Sequence, residues 1–163
     1  MGEAVLMENI MIISPFIGIG TVKLGMSQSE VHEILKDGGY LENLISRCEY
    51  DENDKLKFIE ISNPFDEFDL QLLYDGIDVF KTKANSLVEK IDEKTPYFRN
   101  EEAEMGVCYT FKDLQLSFWR PSALTEDEMN SVEFLEELSP ENQEYEKRNL
   151  YFSAVAIASK GYY

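Results

Sequence analysis

Apolar residues recur along the chain with two different periods, and the switches between them mark out its elements. Thr21-Val-Lys-Leu24 alternates as a short strand, and Ser27-Gln-Ser-Glu30 then supplies both members of a capping box, a serine to accept from a free backbone N–H and a glutamate to reach back. Val31, Ile34 and Leu35 follow at i, i+3 and i+4, so a helix is expected over 28–37, stopped by Gly38-Gly39. Beyond it the period falls to two. Arg47 to Tyr50 and Lys57 to Ser62 flank the polar turn Asp51-Glu-Asn-Asp54 as the arms of a hairpin, and Asn63-Pro64 turns the chain into a third strand, Phe68 to Tyr74.

The same order then returns. After Asp75-Gly76 comes a short strand, Ile77 to Phe80, a possible cap at Thr82, and a helical stripe of Ala84, Leu87, Val88 and Ile91 that predicts a helix over 83–93. Past the polar loop Glu101 to Glu104, Val107, Tyr109 and Phe111 alternate into a tight turn at Lys112-Asp113, and Leu114, Leu116 and Phe118 alternate out of it. Tyr151 to Ser159 reads as the closing strand. The two helix starts lie about 55 residues apart. We therefore expect one domain over 1–163, with pseudo-repeats at about 16–75 and 76–163 and a frayed start over 1–9. The expected fold is α+β: two strand-helix-strand-strand halves forming one antiparallel sheet, with the helices packed on one face.

The second half carries an insertion. Thr125 to Glu146 holds nine acidic residues and no basic one. Met129, Val132, Leu135 and Leu138 give it a thin apolar stripe with Phe134 beside it, which predicts a helix over 126–138, capped by Thr125 and ended by Pro140. Glu126, Asp127 and Glu128 would stand at its N-terminal end, where the macrodipole favours anions.

Composition bounds the function. Fifteen basic against 32 acidic residues give 163 residues a net charge of −17, while 44% apolar content is enough to build a core. Such a charge repels phosphate backbones and anionic lipids, and no basic patch offsets it, so neither nucleic acid nor a membrane is an expected partner. The longest apolar stretch, Ile10 to Ile19, is interrupted by Ser14, Pro15 and Gly18. It is about half the ~20 residues a membrane helix needs. It also has no basic stretch before it and no small-residue cleavage site, so a cytoplasmic location is expected, with Cys48 and Cys108 as reduced thiols.

Catalytic and metal motifs fail on inspection. His32-Glu33 opens like a zinc-binding HExxH, but Lys36 occupies the second histidine position and the chain has one histidine. Gly18, Gly20 and Gly25 miss the dinucleotide-binding spacing, because Lys23 stands at the third glycine, so they are read as turn residues. Around Asp51, a calcium loop would need an oxygen ligand where Lys55 stands, a glycine at Leu56 and a terminal carboxylate at Ser62. Neither cysteine lies in a nucleophile elbow. No enzyme activity, cofactor or metal is expected.

The charge itself is the positive signal. A magnitude of about 2 to 8 already secures solubility for a small domain. The surplus suits a surface that captures a basic protein quickly, since complementary fields raise association rates. The candidate surface is the insertion: Glu126, Asp127, Glu128, Glu133, Glu136, Glu137 and Glu141 as an acidic rim, with Trp119 and Tyr145 as aromatic anchors and Arg120 alongside. Trp119 has a second reading, as a cover for its own sheet.

The segment Gly18-Ile-Gly-Thr-Val-Lys-Leu-Gly-Met-Ser27, followed by Glu30-Val31 and Ile34-Leu35, resembles the opening of many small bacterial proteins. It is similar to the repeat unit of the tandem fold shared by beta-lactamase-inhibitor proteins and SmpA-like outer-membrane lipoproteins. The resemblance implies helix-plus-antiparallel-strand halves and a protein-binding inhibitor role, such as that of an immunity protein against a basic, nuclease-type toxin. The alternative is a small-molecule-binding or stress-related domain that uses a sheet face lined by Tyr50, Tyr74, Tyr109 and Phe118.

Overall fold

The computed structural model describes residues 9–38 and 44–163. Of the start expected to fray over 1–9, residues 1–8 lie outside those residues, as does Gly39 of the expected stop, whereas Asn9 is held, its carbonyl accepting from Gln71 N at 2.9 Å. Three short strands come first, β1 (Ile10–Ser14), β2 (Gly18–Ile19) and β3 (Val22–Lys23), and lead to helix α1 (Gln28–Gly38). The capping box forms as expected: Glu30 N donates to Ser27 Oγ at 3.1 Å, and Ser27 N to Glu30 Oε1 at 3.2 Å. The hairpin β4 (Ile45–Tyr50) and β5 (Leu56–Ser62), the strands β6 (Gln71–Tyr74) and β7 (Ile77–Asp78), and helix α2 (Ala84–Asp92) follow. The second half continues with a turn of helix, α3 (Glu101–Glu104), the hairpin β8 (Cys108–Phe111) and β9 (Leu116–Trp119), and the insertion. Strand β10 (Ala154–Ala158) comes last.

The α+β class is as expected, but the strands divide between two five-stranded sheets, where the sequence pointed to one. The first sheet has the order β3-β2-β1-β6-β7 and the second β4-β5-β10-β9-β8. The division arises because β1 pairs parallel with β6, Ile12 opposite Leu73, drawing the short strands of both halves together. The two long hairpins are left to flank β10, which pairs antiparallel with β5 and with β9. The strand expected to close the sheet is thus the central strand of the second one. All five of its residues, Ala-Val-Ala-Ile-Ala, are buried.

One core joins the layers. Ile59, Ile61, Val155, Ile157, Leu116, Phe118, Tyr109 and Phe111 belong to the same buried cluster as Val31 of α1, Leu87, Val88 and Ile91 of α2, and Met11, Ile13 and Leu72 of the first sheet. Phe118 packs on Phe152 at 5.2 Å between ring centroids, and Tyr109 meets Tyr97 edge-on at 5.0 Å. Tyr109 and Phe118 are therefore core residues, and Tyr50 and Tyr74 pack partly buried against the same cluster. The four aromatics do not line an open face.

Of the glycines read as turn residues, Gly18 serves close approach. A Cβ there would lie 2.3 Å from the Val22 carbonyl oxygen across the β2–β3 pair. Gly18→Ala is expected to cost about 2 kcal/mol through the backbone shift it forces. Thermal unfolding checks this, and an unchanged melting temperature would contradict it.

Candidate protein-docking surface

The insertion joins β9 to β10 and is built from short capped pieces. Thr125 caps a turn of helix, α4 (Glu126–Met129), accepting from Glu128 N at 3.1 Å. Ser131 ends it and starts the next piece, donating Oγ–H to Glu128 O at 2.5 Å and accepting from Phe134 N at 3.2 Å. A wide helical turn over Glu133–Glu137 follows, with i to i+5 geometry. Ser139 then caps α5 (Pro140–Glu146), accepting from Asn142 N at 3.2 Å. This corrects the single helix expected over 126–138. Pro140 begins a helix instead of ending one, as suits a residue with no N–H to leave unpaired in the first turn.

The break at Ser131 also rephases the apolar stripe. Phe134 is buried with Leu124 and Leu150 in a small separate core, against which Met129 and Leu138 pack partly buried. Val132 and Leu135, expected on the same buried stripe, are 64% and 53% exposed. The Gln143 amide donates to the carbonyls of Leu135 and Leu138, at 3.2 and 3.0 Å, tying α5 to the turn before it.

Arg120 anchors this assembly to the domain. It is 1% exposed, and its guanidinium donates to Gly106 O and Asn149 O, both at 2.7 Å, and to Asn85 Oδ1 at 3.3 Å. These acceptors are uncharged, and burial pulls the guanidinium below its ordinary pKa, with the neighbouring Tyr109 acting in the opposite direction. Leu124 N also donates to Asn149 O, so both ends of the insertion meet at one carbonyl. Gly106 admits the guanidinium: a Cβ there, at φ +76°, would lie 2.9 Å from Ala123 Cβ and 3.3 Å from Arg120 Nη2.

The carboxylates stand outside. Glu126, Asp127, Glu128, Glu133, Glu136, Glu137 and Glu141 are all exposed. Glu126 pairs with Lys83 at the start of α2, which lowers the glutamate's pKa and raises that of the lysine through their hydrogen bond. Glu144 pairs with Lys147 at 2.8 Å. Asp127, Glu128, Glu133, Glu136, Glu137 and Glu141 make no ion pair among the described residues. Tyr145 is 64% exposed on α5, with the Arg148 guanidinium 5.5 Å from its ring. The surface thus presents apolar groups, Val132, Leu135 and Tyr145, on a segment dense in unpaired negative charge. Sequence reasoning missed the first two because it assumed a continuous helical phase.

Trp119 lies elsewhere. It points away from Phe118, onto the outer face of the second sheet, and is 46% exposed. Its cross-strand neighbours are Cys108 and Ala154. It lines a trough of about 380 Å³ with Glu60, Glu102, Tyr162 and Tyr163, and none of the insertion's carboxylates lines that trough. Cys48 and Cys108 sit on β4 and β8, the two edges of the same sheet. Four strand spacings, about 19 Å, separate them, too far for a disulfide. Burial raises both thiol pKa values, as it does for an unreactive thiol.

His32 is exposed on α1. Among the described residues no three His, Cys, Asp or Glu side chains are placed to hold a metal ion, and no helix is long and apolar enough to cross a membrane. No protein-family model matches the chain, and neither a curated protein nor a solved structure does.

Proposed function

We propose that this chain is a non-enzymatic inhibitor that binds a basic protein, in the manner of an immunity protein neutralising a cationic, nuclease-type toxin. The insertion is its docking surface. The observation that carries this reading is the placement of exposed Val132, Leu135 and Tyr145 on the same short segment as six unpaired carboxylates. Each class of residue is disfavoured there on folding grounds alone. Like charges repel, and exposed apolar side chains forgo burial. Both are favoured in an interface, where apolar and aromatic groups at the centre supply affinity and rim charge steers the encounter. The resemblance of Gly18 to Leu35 to inhibitor-type repeat units supports the same role. Val132, Leu135 and Tyr145 replace Trp119 as the proposed centre of contact.

Native pull-down from the source cell at low salt tests this, with wild type and E133K/E136K/E137K run side by side. A basic, neighbour-encoded protein retained by wild type and lost by the variant supports the proposal. Recovery of nothing, or equal recovery on both, counts against it. Leu135→Asp sharpens the test. Because Leu135 is 53% exposed, its replacement is expected to leave unfolding free energy within about 0.5 kcal/mol of wild type. As an interface centre it should cost about tenfold or more in affinity for the recovered partner, measured by titration calorimetry.

A further inference from the structure

Beside the insertion, the chain leaving β5 forms an apolar slot of about 270 Å³ whose walls are Pro64, Phe65, Phe68, Leu70, Phe80 and Tyr151. Its construction is specific. Asn63 Oδ1 accepts from Phe65 N at 2.8 Å, Asn63 Nδ2 donates to Phe152 O at 2.8 Å, and Phe65 is held at φ +50°, a conformation that side-chain-bearing residues rarely adopt. Asp66 lines the slot and Glu67 is exposed next to it, and neither makes an ion pair among the described residues. Two cations lie there as well, Lys81, which Asp69 holds at 2.5 Å, and Arg148 over the Phe65 ring, so the carboxylates Asp66, Glu67 and Asp69 outnumber the local cations by one. Arg148 lies between the slot and the proposed docking surface, its guanidinium 4.9 Å from the Phe65 ring and 5.5 Å from that of Tyr145.

We infer that this slot takes an apolar side chain of a basic polypeptide partner, with a neighbouring lysine or arginine of that partner against Asp66 and Glu67. The inference rests on the reading of the chain as a binder of basic proteins and adds to it the class of residue pair recognised. An apolar wall excludes water from the inserted group, and the unpaired carboxylates beside the slot prefer a cation, so neither feature alone gives the expected selectivity.

The test is an amide NMR titration of the full chain with four probes: N-acetyl-Lys-Phe-amide, N-acetyl-Lys-Ala-amide, N-acetyl-Glu-Phe-amide and N-acetyl-Phe-amide. Saturable shifts are expected at the amides of 63, 65–70, 80, 81 and 151 with the Lys-Phe probe, and binding about fivefold or more weaker with each of the others. Asp66→Lys should weaken the Lys-Phe probe about fivefold. Phe65→Gly, which relieves the backbone and removes a wall, should abolish the shifts without lowering the melting temperature. Three results would overturn the inference: no saturable shift at the slot, an equal response to N-acetyl-Phe-amide, which marks a small apolar ligand, or shifts that follow protein concentration with no probe, which mark a second copy of the chain. A silent slot alongside capture of a basic partner on the insertion removes this inference alone. A selective slot with no basic partner captured removes the inhibitor reading.

Discussion

Arg120→Met is expected to destabilise the fold by about 2–4 kcal/mol, a large part of the 5–15 kcal/mol that holds a typical domain together. The side chain is 1% exposed and is a principal link between the insertion and the rest of the protein. Methionine fills much of the volume but donates nothing, so the Gly106 carbonyl loses its 2.7 Å partner and Asn149 O keeps only the 3.4 Å bond from Leu124 N. Desolvated acceptors left without donors account for most of the expected loss. Arg120→Lys should recover only a small part of it, because one ammonium cannot reproduce a planar fork directed at three acceptors on separate segments. Denaturant unfolding with an unchanged m-value provides the measurement, and a loss below about 1 kcal/mol for Arg120→Met would contradict the anchoring role. Amide exchange should show where the loss falls, with Leu124 and Tyr151 losing protection before the β5–β10 ladder does.

The second large effect is kinetic. E133K/E136K/E137K reverses three exposed charges that make no ion pair, so the fold should be as stable as wild type or slightly more stable through relief of like-charge repulsion. Against the basic partner recovered by pull-down, the association rate at low salt should fall by about 10- to 100-fold, with the dissociation rate changed much less. Raising ionic strength should bring the two proteins' association rates together, because the Debye length shrinks from about 10 Å at 0.1 M to about 3 Å at 1 M salt. Stopped-flow traces that superimpose at low salt would remove steering from the account.

How much of this was legible in the sequence depends on how local each signal is. The capping box at Ser27 and Glu30, the stripe of α2 and the two long hairpins are set by residues within a few positions of one another, and they form where expected. The parallel pairing of β1 with β6 joins segments some 60 residues apart and leaves no local trace. The run from Ile10 is neither a membrane span nor a secretory signal but a strand, with Met11 and Ile13 alternating inward and Ile10 and Ile12 outward. Two signals in the insertion compete with the stripe of Met129, Val132, Leu135 and Leu138. Ser131 and Ser139 are both helix N-caps, and Pro140 directly after Ser139 is the combination expected at a helix start. The slot at Phe65 had no such signal, since its shape comes from a positive φ on a phenylalanine and from walls contributed by three separate segments.

The central claim is that the segment from Glu126 to Glu146 meets a basic protein, and amide hydrogen exchange of the chain, with and without the partner recovered from the source cell, tests it most directly. Protection concentrated in residues 126–146, strongest at Leu135 and Tyr145 and absent from the outer face of the second sheet around Trp119, is the predicted result. Protection confined to the Trp119 trough, with the insertion exchanging as fast as in the free protein, would contradict it.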